Sequence, residues 1–254
     1  MNHPAPTITV ITVCYNSAQT LARALQSVRD QTCRRIQHIV IDGGSSDETH
    51  SIVAGFKTSI ACYLSEPDRG IYDAMNKGLE RAEGNIICFL NADDFYATNT
   101  ALERVAMYMT EHNLDALMGD VDFFHEGRPD KSVRRYRSDR FSPDRMAWGW
   151  QPAHPALFLT RDVVKRVGKF KANYQIAGDF DYIARIFLRQ SLRYAHLPEV
   201  FVRMQTGGAS TAGLKAKLLL NKEVLRACRE NGIHTNIFKI LSKYPAKLLE
   251  LVRH

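Results

Sequence analysis

The chain has 254 residues, 45% hydrophobic and 24% charged, enough to bury one large core or two small ones. No apolar run reaches the roughly 18 residues that span a bilayer, and the opening "MNHPAPTITVITVCYN" lacks the charged and small-residue regions of an export signal, so the body reads as soluble and cytosolic. Five scattered cysteines, Cys14, Cys33, Cys62, Cys88 and Cys228, never in a C-x-x-C pair, argue against a disulfide framework and a zinc site.

The net charge of +7 is uneven, because residues 128 to 145 hold seven Arg or Lys against three Asp. Such a run favours an anionic partner, although a charged stretch is by default only a solvated face.

The first half alternates strand and helix. "TITVITVCY" is a β-branched run ending at Asn16, which can cap the following helix with its apolar Leu21, Leu25 and Val28. "IQHIVIDGGSSDET" repeats the plan, leading into a helix with Ile52, Val53 and Phe56. A third strand is expected around Ala61 to Ser65. Ile71, Met75 and Leu79 then mark a helical face that Gly84 should stop. "IICFLNADDFY" is a fourth strand running into acids, and a helix follows from about Asn99 to His112. This rhythm predicts an α/β fold with a mostly parallel sheet and helices on both faces.

In such sheets ligands sit beyond the carboxyl ends of the strands. Asn16 follows the first strand, Asp42 the second, Glu66 and Asp68 the third, and Asn91, Asp93 and Asp94 the fourth. Adjacent carboxylates at the end of a buried strand are costly unless paired or bound to a metal. Oxygen ligands suit Mg²⁺ or Mn²⁺, which shares its coordination sphere with substrate phosphates. An N-cap is the simpler use of Asp93 or Asp94.

The order "VITVCYNS", "VIDGGSSDET", "SEPDRGIYDAMNKGLERAEGNIICFLNADD" and "AGDFDY" resembles the family-two glycosyltransferases, inverting enzymes with the GT-A nucleotide-diphospho-sugar-binding fold. The resemblance covers about residues 7 to 210, is most specific over 40 to 96, and extends to small bacterial transferases of exopolysaccharide, colanic-acid or O-antigen assembly. It implies a GT-A domain over 1–212, with a nucleotide-sugar half (7–115) and an acceptor half (116–212), followed by a helical extension over 213–254.

The resemblance also implies roles. Val13, Tyr15, Asn16 and Asp42 would hold the nucleotide, Tyr15 by packing and Asp42 by accepting a base N–H. Asp68 lies in the acidic loop that contacts nucleotide, and Asn76 faces the site from the next helix. Many relatives have Asp-x-Asp where this chain reads Asn91-Ala92-Asp93, which leaves Asp93 as the contact to Mn²⁺ or Mg²⁺, Asn91 as a partner of sugar or ribose, and Asp94 as its support or a helix cap. Asp179 of "AGDFDY" takes the position of the catalytic base, with Asp181 beside it. His154, between prolines, and Trp150, near Trp148, are acceptor-side candidates. The implied partners are a nucleotide-diphospho-sugar donor and a saccharide or polyprenol-linked acceptor, with no nucleic acid.

Two further stretches stand apart. "RMQTGGASTAG" has the composition of a mobile strap. "IFKILSKYPAKLLELVRH" spaces Lys239, Lys243 and Lys247 by four amid apolar residues, as in a basic amphipathic helix on the inner membrane surface, with Pro245 as a kink. The competing readings are a nucleotidyltransferase, whose Gly-rich phosphate loop "VCYNSAQT" lacks, and a nucleic-acid-binding module built on the 128–145 run, which would bind oligonucleotides in a salt-dependent way.

Overall fold

The computed structural model of the chain describes residues 7–189, 191–208 and 213–242. In chain order the first half runs β1 (Ile8–Cys14), α1 (Leu21–Arg29), β2 (Ile36–Asp42), α2 (Thr49–Gly55), β3 (Cys62–Ser65), α3 (Ile71–Leu79), β4 (Ile86–Phe89), β5 (Phe95–Tyr96) and α4 (Ala101–Glu111). The second half runs β6 (Ala116–His125), β7 (Arg128–Tyr136), β8 (Leu157–Thr160), α5 (Arg161–Val167), α6 (Gly178–Leu188), β9 (Tyr194–Gln205), α7 (Leu214–Glu230) and α8 (Ile237–Leu241). Short 3-10 turns at Pro143–Trp148 and His154–Ala156 precede β8.

These strands form one sheet in the order β3-β2-β1-β4-β8-β6-β9-β5, with β7 paired to β6. The block β3-β2-β1-β4 is parallel throughout, and β6 is parallel to β9. β5, β7 and β8 run the other way. The reversal has a local cause at β7, which returns from β6 through a hairpin with Gly127 at φ +73°, a backbone that glycine adopts at no steric cost.

Alternation along each strand sends side chains to both faces, and both faces are covered, as a parallel block requires. Ile11, Val13, Ile39, Ile41, Ile87 and Phe89 pack with residues of α3, α5, α6 and α7. Ile8, Val10, Ile86 and Cys88 face Leu102, Val105 and Met109 of α4, while Cys14 and Val40 meet Leu21, Leu25 and Val53 of α1 and α2. The extension takes part in this core, because Val224, Ala227, Cys228 and Ile240 are buried in it.

Two local expectations come out differently. Asn16 does not cap α1, which starts at Leu21; held at φ +47°, it accepts the Ser46 N–H at 2.9 Å and donates its own N–H to Ser45 Oγ at 2.7 Å. Gly84 does not stop α3, which ends at Leu79. A Cβ at Gly84 would sit 2.6 Å from Thr9 N, so glycine there admits close approach to β1. Lys239 lies with its Nζ 5.4 Å from the centre of the half-exposed Trp148 ring. Lys243, Pro245 and Lys247 lie outside the described residues, and no helix among the described residues is long and apolar enough to cross a membrane.

His38 on β2 gives the fold a pH dependence. It is 1% exposed, its Nε2 lies 3.0 Å from Thr12 Oγ1, and burial pushes its pKa from 6.5 down to about 3. The unfolded chain therefore takes up a proton that the native state refuses. Stability is full above the unfolded value and declines as pH falls toward the native one, by about 2 kcal/mol between pH 7 and 5. Chemical denaturation at pH 5 and 7 should show this slope, and His38→Gln should flatten it. An unchanged slope would place the titration on another group.

Candidate active site

The parallel register of β1 to β4 puts their carboxyl ends on one edge, and an open cleft of about 1100 Å³ lies there. Its lining draws on the loops after β1, β3 and β4, the turn at His154 and Pro155, residues 175–179 and residues 204–208. Nine sequence candidates line it: Val13, Tyr15, Asn16, Asp68, Asn91, Asp93, Asp94, His154 and Asp179.

The loop after β4 carries the electrostatic tension of the site. Asp94 is 1% exposed, and burial with the neighbouring Asp93 charge raises its pKa well above the usual carboxylate value. Burial raises Asp93 as well, opposed by its own backbone N–H and by Arg23. Asn91 Nδ2 donates to Asp94 Oδ2 at 3.3 Å, whereas the buried Asn91 Oδ1 has no hydrogen-bond partner among the described residues. Two carboxylates destabilised by desolvation, beside an orphaned amide oxygen, are suited to a hard cation. Among the described residues no three His, Cys, Asp or Glu side chains converge as a metal cluster. That leaves one or two carboxylates, the set through which Mg²⁺-type ions are held together with phosphate and water.

Tyr15 is 64% exposed, a ring offered at the rim rather than packed in the core. Asp68 Oδ1 accepts the Gly70 N–H at 2.8 Å, which orders the turn into α3. Asp179, the second residue of α6, accepts from Gln151 Nε2 at 2.7 Å through Oδ2 and from the Phe180 N–H at 2.8 Å through Oδ1. One carboxylate is thus fixed in orientation while still bordering the cleft. His154 is buried and stacked on Phe89 at 5.1 Å, and burial lowers its pKa against the opposing Asp179 charge, so it presents a neutral imidazole.

Four candidates do not line the cleft. Asp42 is fully buried; Oδ1 accepts from Ser45 N at 3.1 Å and Oδ2 from Ser65 Oγ at 2.7 Å and Tyr63 OH at 3.3 Å, so it ties together the loops under the cleft. Asn76 exchanges two hydrogen bonds with the backbone of Phe170, at 2.9 and 2.8 Å. For Asp181 burial alone would raise the pKa, but Lys171, Asn231 and Arg185 bring it below the usual value. Trp150 lies outside the lining, as does Trp148.

Other residues enter that the sequence did not single out. Arg23 of α1 reaches under the β4 loop, its Nη2 donating to Gln205 Oε1 at 3.1 Å and to Asp93 O at 3.4 Å, with its guanidinium against the Phe95 and Phe124 rings. Arg134 from the basic run and Lys217 of α7 add cations to the lining. Tyr72 OH donates to Ile176 O at 2.6 Å, just ahead of Asp179.

Close packing at this point is testable. A Cβ on Gly178 would lie 2.6 Å from the buried Tyr72 ring, which its hydroxyl bond and its stacking on Phe170 hold in place. With three ring atoms under 3 Å from that Cβ, Gly178→Ala should cost about 2–3 kcal/mol, the upper part of the overpacking range, which exceeds the roughly 1 kcal/mol that alanine gains in helix propensity. Thermal denaturation should show a Tm lower by several degrees, and an unchanged Tm would mean that the ring yields freely.

Residues 9–183 match the family model described as glycosyl transferase family 2. A PGL/p-HBAD biosynthesis glycosyltransferase of Mycobacterium tuberculosis is 32% identical over 199 residues, covering 76% of this chain and 75% of the relative. Glycosyltransferase AglE of Haloferax volcanii is 29% identical over 206 residues, 77% of this chain and 66% of that protein. In fold, the chain is similar to S. aureus TarS 1-349 in complex with UDP-GlcNAc (TM-score 0.68, 18% identity, 86% of this chain and 66% of that one), and so spans a little under two thirds of it. It is similar also to the mannosyltransferase PcManGT from Pyrobaculum calidifontis in complex with GDP-Man and Mn²⁺ (TM-score 0.60, 18% identity, 97% and 81%). A mixed α/β sheet with a parallel β3-β2-β1-β4 block, an acid-lined cleft at the carboxyl edge of that block and these matches lead to one conclusion: the chain belongs to glycosyl transferase family 2 and has the GT-A fold.

Proposed function

We propose that the protein is an inverting, metal-dependent transferase that moves a sugar from a nucleotide-diphospho-sugar to a hydroxyl of a saccharide or polyprenol-linked acceptor in bacterial surface polysaccharide synthesis. The observation that carries this reading is that Asp93 and Asp179, from elements 86 residues apart in sequence, border one cleft. The ligands bound by the structural neighbours, UDP-GlcNAc in one and GDP-Man with Mn²⁺ in the other, support a nucleotide-sugar as the donor.

In this reading Tyr15 packs on the base and Asp68 and Asn91 meet ribose or sugar. Asp93, with Asp94 and Asn91 Oδ1 beside it, would hold Mn²⁺ or Mg²⁺, which when bound neutralises charge on the departing diphosphate. Asp179 is the general base. The acceptor oxygen attacks the anomeric carbon as its proton passes to the Asp179 carboxylate. The bond from that carbon to the diphosphate oxygen breaks with its electron pair leaving on the diphosphate. A single displacement inverts the anomeric centre and needs no nucleophilic side chain.

The test is a thermal-shift panel of UDP-, GDP- and dTDP-sugars with and without Mn²⁺, since a ligand that binds only the native state raises its Tm. One donor should stand out, and more strongly with the ion. No response to any nucleotide-sugar would remove the reading.

A further inference from the structure

α7 lies beyond the segment matched by the family model, yet one of its faces grips the loop that delivers Asp179. Glu223, buried on that face, accepts three consecutive backbone N–H groups at 2.8 Å each: Gln175 through Oε1, and Ile176 and Ala177 through Oε2. Further along, Arg226 Nη2 donates to Asn173 O at 3.2 Å with its guanidinium 3.7 Å from the Tyr174 ring centre. Glu230 takes Lys171 Nζ at 2.6 Å and Tyr174 OH at 3.1 Å. From the other side Tyr72 holds Ile176 O. Near the start of the same helix, Lys217 borders the cleft.

A buried carboxylate is costly unless hydrogen bonds compensate it, and charge-assisted bonds to backbone N–H groups are among the strong ones. Apolar packing of Val224, Ala227 and Cys228 already seats α7 on the core, so seating does not call for this ion. What the three bonds fix is the path of residues 175–177, two residues before Asp179. We propose that Glu223 is the positioning residue for Asp179, so that the C-terminal extension sets the geometry of the general base. This rests on Asp179 being that base.

Glu223→Gln keeps the side-chain volume, but its amide can offer an oxygen to only one of the two sets of N–H groups and turns its NH₂ toward the other. Misplacement by about 1 Å costs on the order of 10²-fold in rate. The experiment measures release of nucleoside diphosphate from the donor selected by the thermal-shift panel, alongside the affinity and stoichiometry of donor binding. Glu223→Gln should lower kcat about 10- to 100-fold while donor affinity stays within about twofold and binding stoichiometry stays native. Glu80→Gln, which weakens only exposed pairs with Lys169 and Arg81 outside the cleft lining, should keep native kcat.

A native kcat in Glu223→Gln overturns the proposal, and so does a kcat loss matched by an equal loss of donor-binding sites. Should that variant fail to fold, Glu223→Asp is judged by the same split, and failure of both to fold also overturns it by marking Glu223 as a residue of the fold. Asp179→Asn, run in parallel, separates the two readings. If it retains turnover the base assignment fails; if it is inactive while Glu223→Gln is native, only the positioning role fails.

Discussion

Asp179→Asn is expected to lower kcat by about 10³-fold, within the range that general-base catalysis contributes, while donor binding is unchanged. The variant is close to isosteric: its single amide oxygen can still accept the Phe180 N–H, and a turned Gln151 amide can accept from its NH₂ through an Oε1 that has no other partner among the described residues, so the two groups that orient the native carboxylate still hold it. What it cannot do is take a proton from the acceptor hydroxyl. The split between intact binding and lost turnover distinguishes removal of a base from collapse of the site. Measured as nucleoside diphosphate release at saturating donor, with donor affinity followed by titration, a kcat within tenfold of the native enzyme would exclude Asp179 as the base. Asp181 offers no ready substitute, because its two oxygens are committed to Lys171, Asn231 and Arg185.

What the sequence makes legible follows from repetition. β-branched runs ending in polar residues give the parallel block and its carboxyl edge, and with them the placement of Asn91, Asp93 and Asp94. What it hides depends on partners far along the chain. Asp42 reads the same whether it faces a ligand or the interior; Tyr63 and Ser65, arriving on β3, decide for the interior. Asn76 is claimed by a backbone 94 residues away. Glu223 is one more polar residue in a helical pattern until residues 175–177 come to lie against it. Arg23 is equally anonymous on α1, since only the fold carries it beneath the β4 loop. Strand ends report where a site is, whereas long-range hydrogen bonds decide which of its polar groups are free to act.

Asp93→Asn should abolish the Mn²⁺-dependent part of the donor response. A ligand present at about 100 times its Kd stabilises the native state by about 2.7 kcal/mol, which for a domain of this size corresponds to a Tm rise of about 5–10 °C. The native protein should show a rise of that order with donor and Mn²⁺, and the variant only the smaller rise given by donor alone. Without ion or donor the direction reverses. Burial raises the pKa of Asp93 and, with the Asp93 charge, that of Asp94, so the native state holds these protons more tightly than the unfolded chain. Their contribution is favourable below the unfolded carboxylate value of 3.8 and is lost as pH rises through the raised native values. At neutral pH this pair of buried carboxyl groups is therefore a cost to folding, and Asp94→Asn, which removes one of them, should raise the ligand-free Tm by about 2–4 °C, the shift that about 1 kcal/mol gives a domain of this size. A site that is less stable empty, and more stable once a cation is shared with diphosphate, is one arranged for that cation. An Asp93→Asn protein that keeps its full Mn²⁺-dependent shift would show that the ion is held elsewhere.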